Sequence, residues 1–226
     1  MGARELPRAV GPKLDEDRLA RRTLLPKKPA GVELRGAKVT LWPLDIPRDV
    51  EALFAVSSGQ PARLRDLAVD AYDADAAIWR YMSAGPFGDA GALAAWLEPQ
   101  VDAPDGLCLA VLDAQAGAPI GVANFLANHP EHLKVELGSI WYSPLVQGTG
   151  ANAEATRLML GHAFDLGYRR VEWKCDALNE RSRRAALRIG FRFEGIQEAH
   201  YIVKGRSRDT AWFRMLDHEW RDRPRT

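Results

Sequence analysis

The fold of this chain is decided by the stretch Val135-Glu136-Leu137-Gly138-Ser139-Ile140-Trp141-Tyr142-Ser143-Pro144-Leu145-Val146-Gln147-Gly148-Thr149-Gly150-Ala151-Asn152. It predicts a β-strand, then a tight loop with two glycines, then the first turn of a helix. Apolar residues at spacings of three and four then mark one face of that helix: Ala151, Ala155, Leu158, Met159, Ala163 and Leu166. The first N–H groups of such a helix lack partners inside it and lie at the positive end of its dipole. The loop is therefore predicted to bind a phosphate group.

Two common phosphate-binding loops fit this stretch poorly. A P-loop requires a lysine and then Ser or Thr directly after its last glycine, whereas Gly150 is followed by Ala151 and Asn152. A Rossmann fingerprint requires a third glycine, at the position of Ala153, and an acidic residue about 20 residues further on. Glu172 lies near that distance, so the match to a dinucleotide site is only partial.

The segment Gln147-Gly148-Thr149-Gly150-Ala151 resembles instead the Gln/Arg-x-x-Gly-x-Gly/Ala signature of the GNAT superfamily, the GCN5-related N-acetyltransferases. Further on come Asn179-Glu180-Arg181-Ser182 and then Gly190-Phe191-Arg192-Phe193-Glu194-Gly195. This order is similar to the GNAT branch that contains the ribosomal-protein N-terminal acetyltransferases, the Rim type. The resemblance extends from roughly Gly36 to Trp220.

The resemblance implies an α+β fold with α/β/α layers, in which helices flank a twisted, mixed but mostly antiparallel sheet of about seven strands. It also implies that acetyl-CoA is the cosubstrate and that no metal takes part. In this superfamily the amides of the glycine loop hold the pyrophosphate of coenzyme A. The residues expected to bind CoA are Val146, Gln147, Gly148, Thr149, Gly150, Ala151, Asn152 and Asn179.

The chemistry of a thioester defines what the remaining site must supply. The attacking amine must be neutral, the oxyanion must be stabilised, and the departing thiolate must gain a proton. Glu136 is the candidate base, because similar GNATs commonly use a carboxylate here; the alternative is a surface salt bridge. A bulge near Gly138 to Trp141 is predicted to free a backbone N–H for the oxyanion. Ser182 is the candidate acid or only a helix cap, since the tyrosine that many GNATs use is replaced here by Ala186.

A second segment, Trp79-Arg80-Tyr81-Met82 followed by Gly85-Pro86-Phe87, resembles the part of Rim-type enzymes that helps to wall the acceptor site. Trp79, Tyr81 and Asn124 are therefore candidate substrate-binding residues. The two aromatic residues fit a place in the core equally well. Asn179 is predicted to cap a helix and to bind the pantetheine arm of CoA as well.

The sequence leaves the acceptor amine open between a small molecule and a protein N-terminus. At neutral pH a lysine side chain costs about 4–5 kcal/mol to deprotonate, whereas an α-amine costs only about 1 kcal/mol. An α-amine therefore requires less help from a base. Two alternatives to N-acetylation remain: an acyl-CoA-binding sensor that does not transfer the group, and a pathway acyltransferase that uses a longer acyl-CoA.

Composition and charge limit which partners and which compartment are expected. A formal net charge of +1 gives no reason to expect nucleic acid or an acidic membrane surface. The sequence shows neither an apolar run of membrane-spanning length nor the apolar core of a signal peptide.

Cys108 and Cys175 fall in predicted strands and are expected to be buried thiols, which favours the cytoplasm. His129 and His132 lack the helical spacing of zinc ligands, so no metal is expected. Dimers are common in the family, so a homodimer is one expectation.

Three regions are predicted along the chain. Residues 1–35 form a basic, proline-containing N-terminal extension that contacts an acidic partner or a second subunit, or packs loosely on the domain. Residues 36–220 form the GNAT acetyltransferase domain, and residues 221–226 form a polar tail. Within the domain a helix over Asp89–Leu97 is expected to end at Pro99. A last hairpin is expected to turn at residues 205–208.

Overall fold

The computed structural model describes residue 11 and residues 13–222. Residues 1–10 and 12 of the predicted extension, and residues 223–226 of the predicted tail, lie outside this part. The strands in the described residues are β1 Leu34–Arg35, β2 Val39–Pro43, β3 Ala62–Leu64, β4 Leu67–Val69, β5 Leu107–Asp113, β6 Pro119–His129, β7 Lys134–Tyr142, β8 Arg170–Asp176, β9 Arg192–Val203 and β10 Arg206–Leu216.

Eight of these strands form one sheet in the order β1-β2-β5-β6-β7-β8-β10-β9, and β3 and β4 form a separate hairpin. The β7–β8 pair is parallel, while the other neighbours in the large sheet are antiparallel. The predicted mixed, mostly antiparallel sheet is therefore confirmed. The strand beyond the predicted seven is β1, which has only two residues and so carries no readable alternation.

The described α-helices are α1 Glu16–Leu24, α2 Ile46–Ala55, α3 Ala90–Val101, α4 Ala151–Leu166, α5 Glu180–Ile189 and α6 Asp217–Arg221. Their ends follow from side-chain and backbone caps. Asp45 and Asp89 accept hydrogen bonds from the first turns of α2 and α3. Gly167 and Gly190 end α4 and α5 with φ angles of +96° and +98°, values that favour glycine.

The sheet carries a hydrophobic core on each face. On one face α4 buries Ala155, Met159 and Ala163 against strand residues such as Leu137 and Val171. On the other face α2 and α3 bury their leucines, including Leu53, Leu93 and Leu97, against Ala110, Val122 and Trp141. The layers are therefore α/β/α, as the resemblance implied. Of the predicted face of α4, Ala151, Ala155, Met159 and Ala163 are buried, Leu158 is partly buried and Leu166 is 41% exposed.

Two local predictions are wrong, each for a definite backbone reason. Helix α3 continues past Pro99 to Val101, because a proline in the last turn removes one hydrogen bond without ending the helix. The last hairpin turns at Lys204 and Gly205, with φ angles of +50° and +72°, rather than at residues 205–208. Two adjacent residues with positive φ form the tight turn that suits twisted antiparallel strands, so β10 begins immediately at Arg206.

The described part of the predicted extension contacts the domain through directed hydrogen bonds. In α1, Arg18 lies 3.0 Å from Asp217, and Arg22 donates to the carbonyl of Glu131 at 2.7 Å. Asn128, which is fully buried, donates to the carbonyls of Pro26 and Lys27 at 2.9 Å. Several basic groups of this segment therefore bind their own domain. Among the described residues no helix is both long and apolar enough to cross a membrane.

Candidate active site

The loop between β7 and α4 takes its shape from two glycines and a threonine. Gly148 and Gly150 have φ angles of +81° and +94°, which residues with a Cβ atom rarely adopt. Between them, the backbone N–H and the hydroxyl of Thr149 both donate to the carbonyl of Val146, at 3.3 and 2.8 Å. Val146 itself is buried in the core, so the loop is fixed at its start.

Several N–H groups of this loop remain available to a ligand. Within the described residues, the N–H groups of Gly148, Gly150, Asn152 and Ala153 donate no hydrogen bond. No atom lies within 4 Å of the position that a Cβ on Gly148 would occupy, so the approach is open. These groups lie at the N-terminal end of the 16-residue helix α4. The arrangement has the geometry and the polarity that bind a phosphate group.

The side chain of Gln147 joins the loop to the other side of the molecule. Its amide donates to the carbonyls of Tyr142 and Ala77, at 3.0 and 3.1 Å. Ala77 belongs to the π-helical segment Asp75–Trp79, whose Ala76 carbonyl accepts from Arg181 at 2.8 Å. The predicted CoA loop is therefore hydrogen-bonded to the segment that leads into the predicted acceptor wall.

Strands β7 and β8 separate beside this loop. Their parallel pairing begins at Lys134 and Arg170 and ends at Leu137 and Trp173. Beyond that point β7 advances three residues, from Gly138 to Trp141, while β6 advances two. Ser139, inside this interval, has a φ angle of +50°. The predicted bulge is thus confirmed, and it opens a gap between two neighbouring strands of the sheet.

Asn124 holds the bulge in place. It is fully buried, and its amide donates to the carbonyl of Ser139 at 3.3 Å. In a trans peptide the carbonyl and the following N–H point in opposite directions. The N–H of Ile140 therefore points away from the Asn124 side chain. The prediction that Asn124 contacts the acceptor stays a prediction, because its observed contact is with the strand.

Glu136 lies on β7 one residue before the pairing with β8 ends. It is 9% exposed, and the ammonium group of Lys174 lies 2.6 Å from its carboxylate. Its neighbours Val135 and Leu137 belong to the α4 core, so Glu136 is on the opposite face, that of α2 and α3. Burial raises the pKa of Glu136, and Lys174 opposes that shift. The salt bridge considered as an alternative does exist, but it is nearly buried rather than on the surface.

Asn179 and Ser182 lie at the start of α5. The Asn179 side chain accepts from the N–H of Ser182 at 3.1 Å, which confirms the predicted cap. The Ser182 hydroxyl accepts from the indole N–H of Trp173 at 3.0 Å, next to the gap. Ala186, at the position of the family's tyrosine, is fully buried. That Asn179 and Ser182 contact CoA stays a prediction.

Trp79 occupies the core rather than an open wall. Only 1% of it is exposed, and its indole N–H donates to the carbonyl of Ser57 at 3.0 Å. Its ring lies 5.0 Å from those of Phe87 and Trp141, measured between centroids. Of the two interpretations left open by the sequence, the structure therefore supports core packing for Trp79. Tyr81 is partly exposed and remains a candidate acceptor contact.

Both cysteines are free and buried, in β5 and β8, as predicted. Burial raises the pKa of Cys108 to about 12, so this thiol is not a nucleophile at neutral pH. His129 contacts Glu131 at 2.9 Å. Within residue 11 and residues 13–222, no group of three potential metal ligands comes together.

Three lysines near the site could not be identified as site residues from the sequence. Lys174 pairs with Glu136 and also lies 4.3 Å from the centroid of the Trp212 ring. Lys204, in the β9–β10 turn, donates to the Trp79 carbonyl at 2.7 Å across the molecule. Lys38 donates to the Thr149 carbonyl at 2.7 Å. Each contact depends on the order and register of the strands, which cannot be inferred from local sequence patterns.

Comparison with known proteins gives consistent matches. Residues 60–192 match the model of the acetyltransferase (GNAT) domain. A crystal structure of a GCN5-related N-acetyltransferase from Brucella melitensis is 38% identical, with a TM-score of 0.77, over 87% of this chain and 83% of that chain. A GNAT-family protein from Chromobacterium violaceum ATCC 12472 is 32% identical, with a TM-score of 0.76, over 98% of both chains.

A shorter match is with YdaF of Bacillus subtilis (strain 168), which carries a provisional name as a ribosomal N-acetyltransferase. It is 33% identical over 88 residues, which is 38% of this chain and 48% of YdaF. The chain thus matches about half the length of that relative. The glycine loop, the separated strands and the matched residues lead to one conclusion. This chain belongs to the GNAT family of acetyltransferases.

Proposed function

We propose that this protein transfers the acetyl group of acetyl-CoA to a primary amine, by direct attack of the amine on the thioester. The observation that carries the proposal is the gap between β7 and β8, which opens beside a loop with free N–H groups. The loop would hold the pyrophosphate, and the gap would receive the pantetheine arm. Gln147 to Asn152, Asn179 and the bulge at Ser139 are the residues assigned to this cosubstrate.

The backbone at the bulge supplies the group that this reaction needs most. As the amine nitrogen bonds to the acetyl carbon, the carbonyl oxygen becomes negatively charged. We assign the N–H of Ile140 to this oxyanion, because it belongs to the bulge and Asn124 holds the carbonyl of the same peptide. A fixed N–H donor in a site closed to water stabilises such an oxyanion.

Glu136 is the proposed proton acceptor. A carboxylate whose pKa is raised toward neutrality is a stronger base than an ordinary glutamate, and burial acts on Glu136 in that direction. The proton leaves the attacking nitrogen for this carboxylate, directly or through one water, and the carbon–sulfur bond breaks. The Ser182 hydroxyl is the proposed hydrogen-bond donor to the departing thiolate, which then takes its proton from water, while Glu136 returns the amine proton to solvent. Lys174 opposes the effect of burial on the pKa of Glu136 and so favours its ionised form.

The proposed acceptor class is a primary amine, and an α-amine in particular. An α-amine is partly neutral near pH 7, so one carboxylate held by a lysine is sufficient to complete its deprotonation. Both a small molecule and a protein N-terminus present such a group. The similarity to YdaF supports testing the N-termini of ribosomal proteins among the acceptors.

The test follows thiol release from acetyl-CoA against a panel of amines, amino acids and short peptides with free N-termini. Binding of acetyl-CoA is measured in parallel by calorimetry. Release with one class of acceptor supports the proposal and identifies the substrate class. Tight binding without release from any acceptor indicates an acyl-CoA sensor, and release only from longer acyl-CoA donors indicates a different acyltransferase.

A further inference from the structure

The turn between β1 and β2 is fastened to the first turn of α4. The carboxylate of Glu154 accepts from the N–H groups of Ala37, Lys38 and Val39, at 3.2, 2.6 and 2.9 Å. A Cβ on Gly36 would lie 2.6 Å from a carboxylate oxygen of Glu154, so glycine allows this close approach. Glu154 is also well placed electrostatically, since it lies in the first turn of its helix.

Lys38 extends from this turn to the glycine loop. Its ammonium group donates to the carbonyl of Thr149 at 2.7 Å. The peptide between Thr149 and Gly150 is trans, so the N–H of Gly150 points in the opposite direction from that carbonyl. This N–H donates no hydrogen bond within the described part of the chain. Lys38 therefore holds one end of a peptide whose other end is available to a ligand.

Hydrogen bonds within the loop hold the residues on either side of this peptide, but among the described residues only Lys38 donates to the Thr149 carbonyl itself. Gly148 and Gly150 have positive φ angles, and glycine permits more than one orientation of an adjoining peptide. The positive charge of Lys38 beside the Thr149 carbonyl favours the observed orientation of this peptide. It also polarises the peptide, which strengthens the N–H as a donor.

We propose that Lys38, held in turn by Glu154, is a positioning residue that aims the Gly150 N–H at the phosphates of coenzyme A. This inference rests on the proposed use of acetyl-CoA. Lys38 acts through the loop backbone and not on the acetyl group. Its loss should consequently weaken recognition of the phosphates and leave recognition of the pantetheine part in place.

The experiment compares two ligands on the full chain by calorimetry. Coenzyme A carries the phosphates, and pantetheine lacks them. For Lys38→Met we expect CoA affinity to fall about tenfold, the size of one hydrogen bond to a charged group, and pantetheine affinity to change by less than about twofold. Lys38→Arg, which restores a charged donor, should recover most of the CoA affinity. In kinetics, the KM for acetyl-CoA should rise while kcat at saturation stays close to the wild-type value.

The matched control is Lys28→Met. Lys28 donates to the carbonyl of Val101 at 2.8 Å, so the variant breaks the same kind of bond at a different place. It should bind CoA as the wild type does. Equal losses of CoA and pantetheine affinity in Lys38→Met, or unchanged CoA affinity, would overturn the assignment of Lys38. Failure of the wild-type chain to bind CoA would instead overturn the proposed function, and this inference with it.

Discussion

The two sides of the candidate site are built in different ways. The proposed CoA side consists of seven consecutive residues, Val146 to Asn152, and its backbone N–H groups are the proposed ligand groups. The proposed acceptor side is assembled from β6, β7, β8 and the segment Asp75–Trp79, which are far apart in sequence. A site made of backbone depends on where glycines allow positive φ. A site made of side chains depends on which strands are neighbours and in which register.

This difference predicts that the two sides fail in different ways. Changes in the loop should weaken CoA binding and leave the chemistry of the bound complex in place. Changes on the acceptor side should slow the chemistry and leave CoA binding in place. The following four substitutions test this separation, in order of decreasing expected effect.

The largest effect is expected from Gly150→Val. A β-branched residue is strained at a φ of +94°, and its Cβ would lie 3.3 Å from the ammonium of Lys38. Strain and the loss of charged hydrogen bonds together cost about 4 kcal/mol, or about a thousandfold in CoA affinity by calorimetry. Gly117→Val is the control, because Gly117 also has a positive φ of +65° but lies in an open turn. Near-normal CoA affinity in Gly150→Val would mean that the loop is not the phosphate site.

Glu136→Gln is expected to lower kcat about a hundredfold without changing CoA affinity. In the wild type, kcat/KM should rise as Glu136 loses its proton, at a pH above the ordinary glutamate range because burial raises its pKa. In the variant this acid limb should disappear, and the optimum should move to higher pH, where the amine is neutral on its own. Glu172→Gln is the control, since Glu172 is the residue opposite Glu136 on β8 and is also buried. It should keep the acid limb but move it to lower pH, because the charge of Glu172 helps to raise the pKa of Glu136. An unchanged pH profile in Glu136→Gln would remove it from the base role.

Asn124→Ala should lower kcat about tenfold, because the Ser139 carbonyl loses its buried partner and the Ile140 N–H loses its fixed direction. CoA affinity should stay within about twofold of the wild type. Asn128→Ala is the matched control: Asn128 is also fully buried, but it binds the carbonyls of Pro26 and Lys27. That control should lower thermal stability and preserve kcat. If both variants slow the reaction equally, the effect comes from general destabilisation.

The smallest effect is expected from Lys204→Met. Lys204 joins the β9–β10 turn to the Trp79 carbonyl at 2.7 Å, next to the predicted acceptor wall. Loss of this bond costs about 1 kcal/mol, so the KM for the acceptor should rise about fivefold while the KM for acetyl-CoA is unchanged. Lys27→Met, which breaks a similar bond to the Asn128 carbonyl at 2.8 Å, should change neither constant. A rise in the KM for acetyl-CoA alone would show that this turn supports CoA binding rather than acceptor binding.

The sequence predicted the backbone of the glycine loop and its flanking elements well because their signals are local. Gly148 and Gly150 mark positive φ angles, Gly167 marks the end of α4, and Asn179 marks the start of α5. Each of these residues acts on its own neighbours in the chain. The predicted strand, loop and helix therefore agree with the structure to within a residue or two.

The acceptor side was predicted less well because its contacts are distant in sequence. Trp79 is a core residue because β7 brings Trp141 against it, and no local pattern contains that pairing. The partnership of Glu136 with Lys174 depends on the parallel register of β7 and β8. Lys38 reaches Thr149 only because α4 lies over the β1–β2 turn. Local propensity also misplaced the last turn, which Lys204 and Gly205 form with positive φ angles.

We propose that CoA binding and acetyl transfer are carried by separate parts of one site. The most direct test measures CoA affinity and thiol release together, for the wild type, Gly150→Val and Glu136→Gln, with the best acceptor from the amine panel. We predict that Gly150→Val loses CoA binding, and that Glu136→Gln binds CoA normally but releases thiol about a hundredfold more slowly. Normal CoA binding by Gly150→Val, or normal thiol release by Glu136→Gln, would contradict this separation of binding from transfer.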